Sequence, residues 1–225
     1  MLSVVFINAG NYLGLGHTYT NNLRRAVSRN LTLDHRFVCF TDAVKEGYIH
    51  GIEVRPLPGK EHPISGWWHK VALFKAGVFE DGERIVFLDL DSVITGSLDD
   101  IASYDGEFAM LQDVMFRGLR ASGVMAWRGG FGSFLWDDYV AAGYPQNIQH
   151  PGYNFGGDGA WIGRNVDGID LLQDLYPNQI ASYKMTGGIL APYTRIVAFH
   201  GVPRPHEVTT GWVPKLWNHV ARRGA

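Results

Sequence analysis

The run Ile85-Val86-Phe87-Leu88 and the Asp89-Leu90-Asp91 that follows it constrain this chain more than any other stretch. Four successive apolar residues leave no polar face for solvent, so the spacing predicts a strand over 84–91 that is covered on both sides, as in a parallel sheet. Residues two apart on a strand share a face, and both carboxylates are expected to converge where the strand ends. Open α/β sheets bind their ligands at those carboxyl ends. Two neighbouring carboxylates repel unless a proton or a cation lies between them, and a metal ion is the economical answer. The bland alternative, one aspartate capping a turn and the other solvated, loses ground because the pair directly follows a buried strand.

Around this run the pattern alternates between strand and helix. Residues 2–8 and 36–41 read as buried strands and 52–57 as a shorter one, while 18–30 carries Leu23, Ala26 and Val27 among arginines, as an amphipathic helix does. Trp67, Val71, Phe74 and Val78 recur at helical spacing over 67–79. Strands at 108–112 and 123–127, a helix over 131–142, a loop-rich stretch over 143–159, a strand over 194–199 and a helix near 215–221 complete the reading. The expected fold is α/β, a mostly parallel central sheet flanked by helices with a smaller mixed portion. One unit over 1–225 is expected, with a first half of about 1–105 and a second of 106–225.

The chain has 225 residues, 46% of them hydrophobic, which is enough to bury a substantial core. Its net charge of −2 gives no general field for nucleic acid or anionic lipid, so any anion site must be local. Cys39 is the single cysteine and sits in an apolar run, which excludes an internal disulfide framework and fits a core residue in a reducing compartment. Residues 2–7 are too short for a secretory leader, and no apolar stretch approaches bilayer length. A cytoplasmic protein is expected. Most of the seven tryptophans are expected in the core, with a minority near a cleft free to stack on ligand rings.

His200 ends the apolar strand Ile196-Val197-Ala198-Phe199 and precedes Gly201-Val202-Pro203-Arg204-Pro205. A lone histidine is more often a satisfied core or surface group than a ligand, but this one stands at a strand end beside a glycine. Asp89, Asp91 and His200 form a candidate metal set whose imidazole favours Mn2+ modestly over Mg2+. Such an ion would bind a diphosphate and stabilise charge on it as it departs. Arg204 could add a directional phosphate contact, although a solvated arginine explains it equally well when taken alone.

Four stretches, in order along nearly the whole chain, resemble retaining GT-A glycosyltransferases of the glycogenin and bacterial lipopolysaccharide galactosyltransferase kind. They are residues 5–12, residues 35–42, residues 67–97 with Phe87-Leu88-Asp89-Leu90-Asp91, and residues 199–205. The resemblance implies a nucleotide-diphospho-sugar transferase fold and transfer of a sugar, with a UDP-sugar as donor, to a hydroxyl of a glycan, lipid or small-molecule acceptor. It matches Asp89, Asp91 and His200 to the family's metal ligands, with Leu90 and Gly201 beside them in the binding set. Asn8 and Tyr12 fall in its first nucleotide loop, and Thr41 and Asp42 near base and ribose. Lys70 falls in a sugar- or phosphate-facing element, its bland reading being a solvated helix lysine. Ser122 and Gly123 match a strand behind the donor sugar, and Asp158 would hold sugar hydroxyls. Asp158 and Arg204 are therefore the catalytic candidates. Two positions depart from the family: Gly159 stands where it has glutamine, and Arg204-Pro205-His206 where it has Lys-Pro-Trp.

Two other readings stay open. A haloacid-dehalogenase-type phosphatase also places Asp-x-Asp after an apolar strand, though on its first strand. A catalytically degenerate carbohydrate- or nucleotide-binding domain would keep the pocket without the chemistry, and Gly159 keeps that reading alive. Acceptor contacts are expected on variable loops, here 117–120 and 146–155.

Overall fold

The computed structural model describes residues 1–43, 46–116 and 118–218. The first half runs β1 (Leu2–Asn8), α1 (Gly16–Asn30), β2 (Arg36–Thr41), β3 (Ile52–Pro56), β4 (Arg84–Leu88), β5 (Ser92–Ile94) and α2 (Asp99–Ala102). The second half runs β6 (Phe108–Gln112), β7 (Arg120–Arg128), α3 (Ser133–Ala141), α4 (Asp158–Asn165), β8 (Asp170–Leu171), α5 (Leu172–Leu175), β9 (Ile180–Ser182), β10 (Ile196–Ala198) and α6 (Val213–Trp217). Short 3-10 segments at Tyr12–Gly14, Gly66–Phe74 and Pro205–Glu207 complete the chain. None of the described helices is long and apolar enough to cross a membrane.

A seven-stranded sheet has the order β3-β2-β1-β4-β7-β6-β8, and a three-stranded one the order β5-β10-β9. In the large sheet only β7 runs against its neighbours; every other pairing is parallel. The cause lies in the two-residue period of the strands. Val4 and Phe6 of β1, Val86 and Leu88 of β4 and Val124 and Ala126 of β7 enter one core, beneath α1, α2 and the small sheet. Val5, Ile85, Phe87, Met125 and Trp127, their alternates, enter a second core against Gly66–Phe74, α3 and α4. The Ile85–Leu88 run is therefore buried on both faces, as its composition predicts. Cys39 of β2 is fully buried and burial pushes its thiol up to about 11, so it is an inert core residue.

Three local readings need correction. The helix expected over 67–79 is a 3-10 segment that ends at Phe74, after which Gly77 turns at positive φ. All residues from Trp68 to Phe74 are buried, His69 and Lys70 included, so beyond its exposed start at Gly66 and Trp67 the element has no solvent face for a helical period to report. The stretch 143–159 is loop-rich, but its last two residues begin α4, hidden by the glycines around Asp158. Those glycines have a packing reason: a Cβ on Gly159 would lie 3.1 Å from the Arg120 carbonyl, and one on Gly163 2.6 Å from the Arg120 Cβ. α4 thus sits close against β7. The strand expected over 84–91 stops at Leu88, and Asp89 to Asp91 form a turn closed by the Ser92 amide donating to the Asp89 carbonyl (3.0 Å). Of the helix expected near 215–221, Val213–Trp217 is present and residues 219–221 lie outside the described residues.

The loop after β1 depends on one close approach. Asn8 is fully buried, and its Oδ1 accepts from the Tyr12 amide (3.0 Å) while its Nδ2 donates to the Tyr48 hydroxyl (2.7 Å). A Cβ on Gly16, the first residue of α1, would fall 2.1 Å from that Oδ1. Gly16→Ala is expected to cost about 1–3 kcal/mol by overpacking. Urea unfolding checks this; an unchanged midpoint would mean that Asn8 can turn aside at no cost.

Candidate functional site

The carboxyl ends of β1, β4 and β6, the start of the antiparallel β7 and the N-terminus of α4 surround one cleft of about 1000 Å³. Tyr12, Lys70, Asp89, Leu90, Asp91, Ser122, Gly123, Asp158, His200, Gly201 and Arg204 all line it. Asn8, Thr41 and Asp42 do not. Asn8 and Thr41 are buried, the Thr41 hydroxyl donating to the Asn8 carbonyl (2.7 Å), while the exposed Asp42 accepts from the Gly10 amide (2.9 Å). Their place in the structure is the support of the β1 loop.

The Asp89-Leu90-Asp91 turn joins the two sheets, and both of its ends are pinned. The Asp89 amide donates to the Gly123 carbonyl (2.8 Å), and the Phe199 amide donates to the Asp91 carbonyl (3.3 Å). The first bond sets Asp89 beside β7, where a Cβ on Gly123 would stand 3.4 Å from the Asp89 carboxylate. The second brings the end of β10, and with it His200, alongside Asp91.

Lys70 is the centre of one wall of the cleft. Its stem passes the Phe87 ring, with the ammonium 5.4 Å from the ring centre, and its side chain is only 8% exposed. The ammonium lies 2.8 Å from one Asp89 oxygen and 3.6 Å from Asp158, and it donates to the Ser122 hydroxyl (3.2 Å). Ser122 in turn donates to Asp158. The solvated-lysine reading is thereby overturned: a buried ammonium persists here because it donates to Asp89 and Ser122 and has the Asp158 carboxylate close by. Burial alone would lower its pKa, yet Asp158 and Asp89 together hold it above the ordinary lysine value.

On the opposite wall Arg204 pairs with Asp91 through Nη1, which also donates to the Tyr12 hydroxyl (2.7 Å). Tyr12 donates to the same Asp91 oxygen (2.9 Å). Burial, then the charge of Asp91, pushes the Tyr12 phenol well above its usual range, so it remains a proton donor. Asp89 and Asp91 are both raised, chiefly by burial and against the pull of Lys70 and Arg204; Asp91 raises Asp89 further. A third of the Asp89 side chain is nevertheless open to the cleft.

These two carboxylates fit a hard divalent cation by chemistry and by place: both face one cleft, and each already attracts a protein cation. His200 is half-buried, and its Nε2 lies 2.7 Å from the Ser182 hydroxyl. Burial and then Lys184 hold its pKa below the usual value, which favours the neutral, ligating form. It is not grouped with the aspartates, and among the described residues no three His, Cys, Asp or Glu side chains stand close enough together to hold an ion. The set Asp89, Asp91 and His200 is assembled on one cleft but not as a ready-made cage.

Sequence reasoning missed the rim of this cleft. Trp67 is 62% exposed beside Gly157, whereas its neighbour Trp68 is buried. Phe116, Tyr153 and Phe155 form a cluster with ring centres 4.8 to 5.2 Å apart, the first just before the 117–120 loop and the other two within 146–155, the loops expected to meet an acceptor. Arg117, in the first of those loops, lies outside the described residues. The adjacent Trp67-Trp68 pair was the available signal, because two large aromatics in succession on a packed element cannot both face its core.

No family model matches the sequence, and no curated protein does. Solved structures do resemble the fold. A galactosyltransferase, LgtC, determined as an active-site Gln-to-Glu mutant, superposes with a TM-score of 0.67 at 13% identity, covering 95% of this chain and 93% of that one. The glycosyltransferase GlyE of Streptococcus pneumoniae TIGR4 gives 0.69 at 14% identity over 96% of this chain, which spans 60% of GlyE. The bifunctional glycosyltransferase WbbM gives 0.61 at 10% identity, the chain spanning 51% of it. The chain therefore has the GT-A glycosyltransferase fold.

Lys70→Met would leave Asp89 and Asp158 buried without their shared cation. A loss of about 3–5 kcal/mol is expected, the range for breaking a buried ion pair from one side. Chemical denaturation at pH 8 measures it, and a loss below about 0.5 kcal/mol, the surface-substitution range, would return Lys70 to the solvated reading.

Proposed function

We propose that the chain is a metal-dependent glycosyltransferase that moves a sugar from a nucleotide diphosphate sugar, with uridine as the base, to a hydroxyl acceptor with retention of configuration. The observation that carries this reading is the carboxylate pair at the end of β4, faced by Lys70 and Arg204 across a single cleft on a GT-A fold. Asp89 and Asp91, with His200 as the third ligand, would hold Mn2+. A divalent ion there supplies positive charge against the departing diphosphate.

The remaining steps belong to the chain's own residues. Arg204 offers a planar, permanently charged fork to a phosphate oxygen. Asp158, kept in place by Lys70 and Ser122, presents its carboxylate at the cleft floor, where it would orient the hydroxyls of the donor sugar. Gly123 leaves room above Asp89 for the sugar ring. Nothing in the set is needed as a general base, since a departing phosphate oxygen can take the acceptor proton on the same face of the sugar. Trp67 and the Phe116, Tyr153 and Phe155 cluster give the acceptor side rings on which a pyranose can stack, which favours a glycan among the acceptor classes.

Calorimetric titration with UDP, with Mn2+ and then with EDTA, tests the reading, together with hydrolysis of UDP-sugars in the absence of acceptor. Metal-dependent binding and metal-dependent hydrolysis are expected. Binding without hydrolysis would instead indicate a degenerate binding domain, and failure with every nucleoside diphosphate would end the transferase reading. Asp91→Asn is expected to lower metal-dependent turnover by roughly 100-fold or more, the scale of losing one electrostatic stabiliser. Retained turnover with unchanged metal dependence would remove Asp91 from the ligand set.

A further inference from the structure

The two carboxylates of the Asp89-Leu90-Asp91 turn carry protein cations of very different freedom. Lys70 is wedged under Asp89, Ser122 and Asp158 with its stem against Phe87, and it cannot leave Asp89 without orphaning a buried ammonium. Arg204 is the opposite case. Its side chain is 24% exposed and reaches Asp91 from the cleft mouth, and the guanidinium carries further donors beyond Nη1. The Arg204 main chain, by contrast, is fixed. Its amide donates to Glu207 Oε2 (2.6 Å), the Glu207 amide donates back to its carbonyl (3.0 Å), and Pro205 is buried. The next residue, His206, is anchored to α1 through the Tyr19 hydroxyl, 2.5 Å from its Nδ1. Any movement here belongs to the arginine side chain alone.

Asp91 Oδ2 takes bonds from both Arg204 and Tyr12, which fills its two lone pairs. A divalent cation must displace one of them to bind this oxygen, or bind Oδ1 of a carboxylate already paired with a guanidinium, and in either case Arg204 is the partner it repels. The charge balance agrees. Asp89, Asp91 and Asp158 face Lys70 and Arg204, leaving the cleft one negative charge from neutrality. A divalent ion alone overshoots to one positive charge, and the two negative charges of a sugar-linked diphosphate return the cleft to its starting value.

We infer that Arg204 is an internal counter-ion that competes with the divalent cation for Asp91, so that cation and nucleotide diphosphate bind cooperatively through it. The cation takes Asp91 and releases the guanidinium; the diphosphate then takes up the guanidinium it released. This rests on the transferase reading for the identity of the diphosphate, but the competition itself is a property of Asp91, Tyr12 and Arg204. A fixed phosphate ligand would have no bearing on the cation alone. An internal counter-ion opposes it.

The test is Mn2+ binding measured by electron paramagnetic resonance, without nucleotide and then with UDP. The wild-type chain is expected to bind Mn2+ weakly alone and more tightly with UDP. Arg204→Met should bind Mn2+ alone about tenfold more tightly than wild type, the factor that corresponds to one charged hydrogen bond of about 1.5 kcal/mol. It should also lose most of the strengthening by UDP. Tyr12→Phe, a milder change that removes the hydroxyl steadying the pair, should shift bare Mn2+ affinity in the same direction by a smaller factor, which covers the case in which Arg204→Met does not fold. Unchanged or weaker bare Mn2+ binding in the folded variants overturns the inference, even where UDP binding and sugar transfer stand. Tighter bare Mn2+ binding with no UDP effect in the wild type would uphold the competition at Asp91 and overturn the coupling to the diphosphate.

Discussion

The buried ammonium of Lys70 is the interaction on which the rest of the site depends. It joins an aspartate at the end of β4 to one at the start of α4, with Ser122 of β7 between them, so three elements share one charge. Without it, two carboxylates would face each other in a partly dry cleft, and their mutual repulsion would be relieved only by protonation or by moving apart. With it, Asp158 is held 3.6 Å from the ammonium, accepts from Ser122 and lines the cleft. The 3-10 segment that supplies Lys70 is buried throughout Trp68 to Phe74, which fixes the ammonium as firmly as a core residue.

The opposite wall follows another logic. Arg204, Tyr12 and Asp91 are held by polar contacts on a loop whose backbone is locked by Glu207 and His206. One wall of the cleft is thus a fixed electrostatic frame and the other an adjustable one on a rigid mount. That division suits the proposed reaction, in which a donor sugar is held in register while charge moves onto the diphosphate.

Much of the scaffold was legible because its signals are local. The strands Leu2–Asn8, Arg36–Thr41 and Phe108–Gln112 coincide with the apolar runs, and the acidic turn after Ile85–Leu88 stands at the end of a sheet strand as its composition implied. What escaped was written in long-range terms. Lys70 and Asp158 are 88 positions apart and Arg204 and Asp91 113 apart, so no periodicity could distinguish a buried lysine from a solvated one or pair the arginine with its acid. The helix α4 escaped for a related reason. Gly159 and Gly163 lower local helix propensity, and their use appears only against β7, a separate part of the chain. Asn8, Thr41 and Asp42 were read as lying in or near a nucleotide site, and the fold joins them to the loop after β1, outside the cleft lining.

The Asp89-Leu90-Asp91 turn is also the stitch between two sheets, since β4 belongs to the large one and β5 to the small one. The separation of its carboxylates is therefore a gauge of how the two sheets are set against each other. Side chains that fill the seam without lining the cleft, such as Ile180 on β9 and Val197 on β10, act on that gauge. In a chain built this way the spacing of two cleft carboxylates can drift through silent repacking of a neighbouring seam, and two copies with identical cleft residues can come to hold them at different separations.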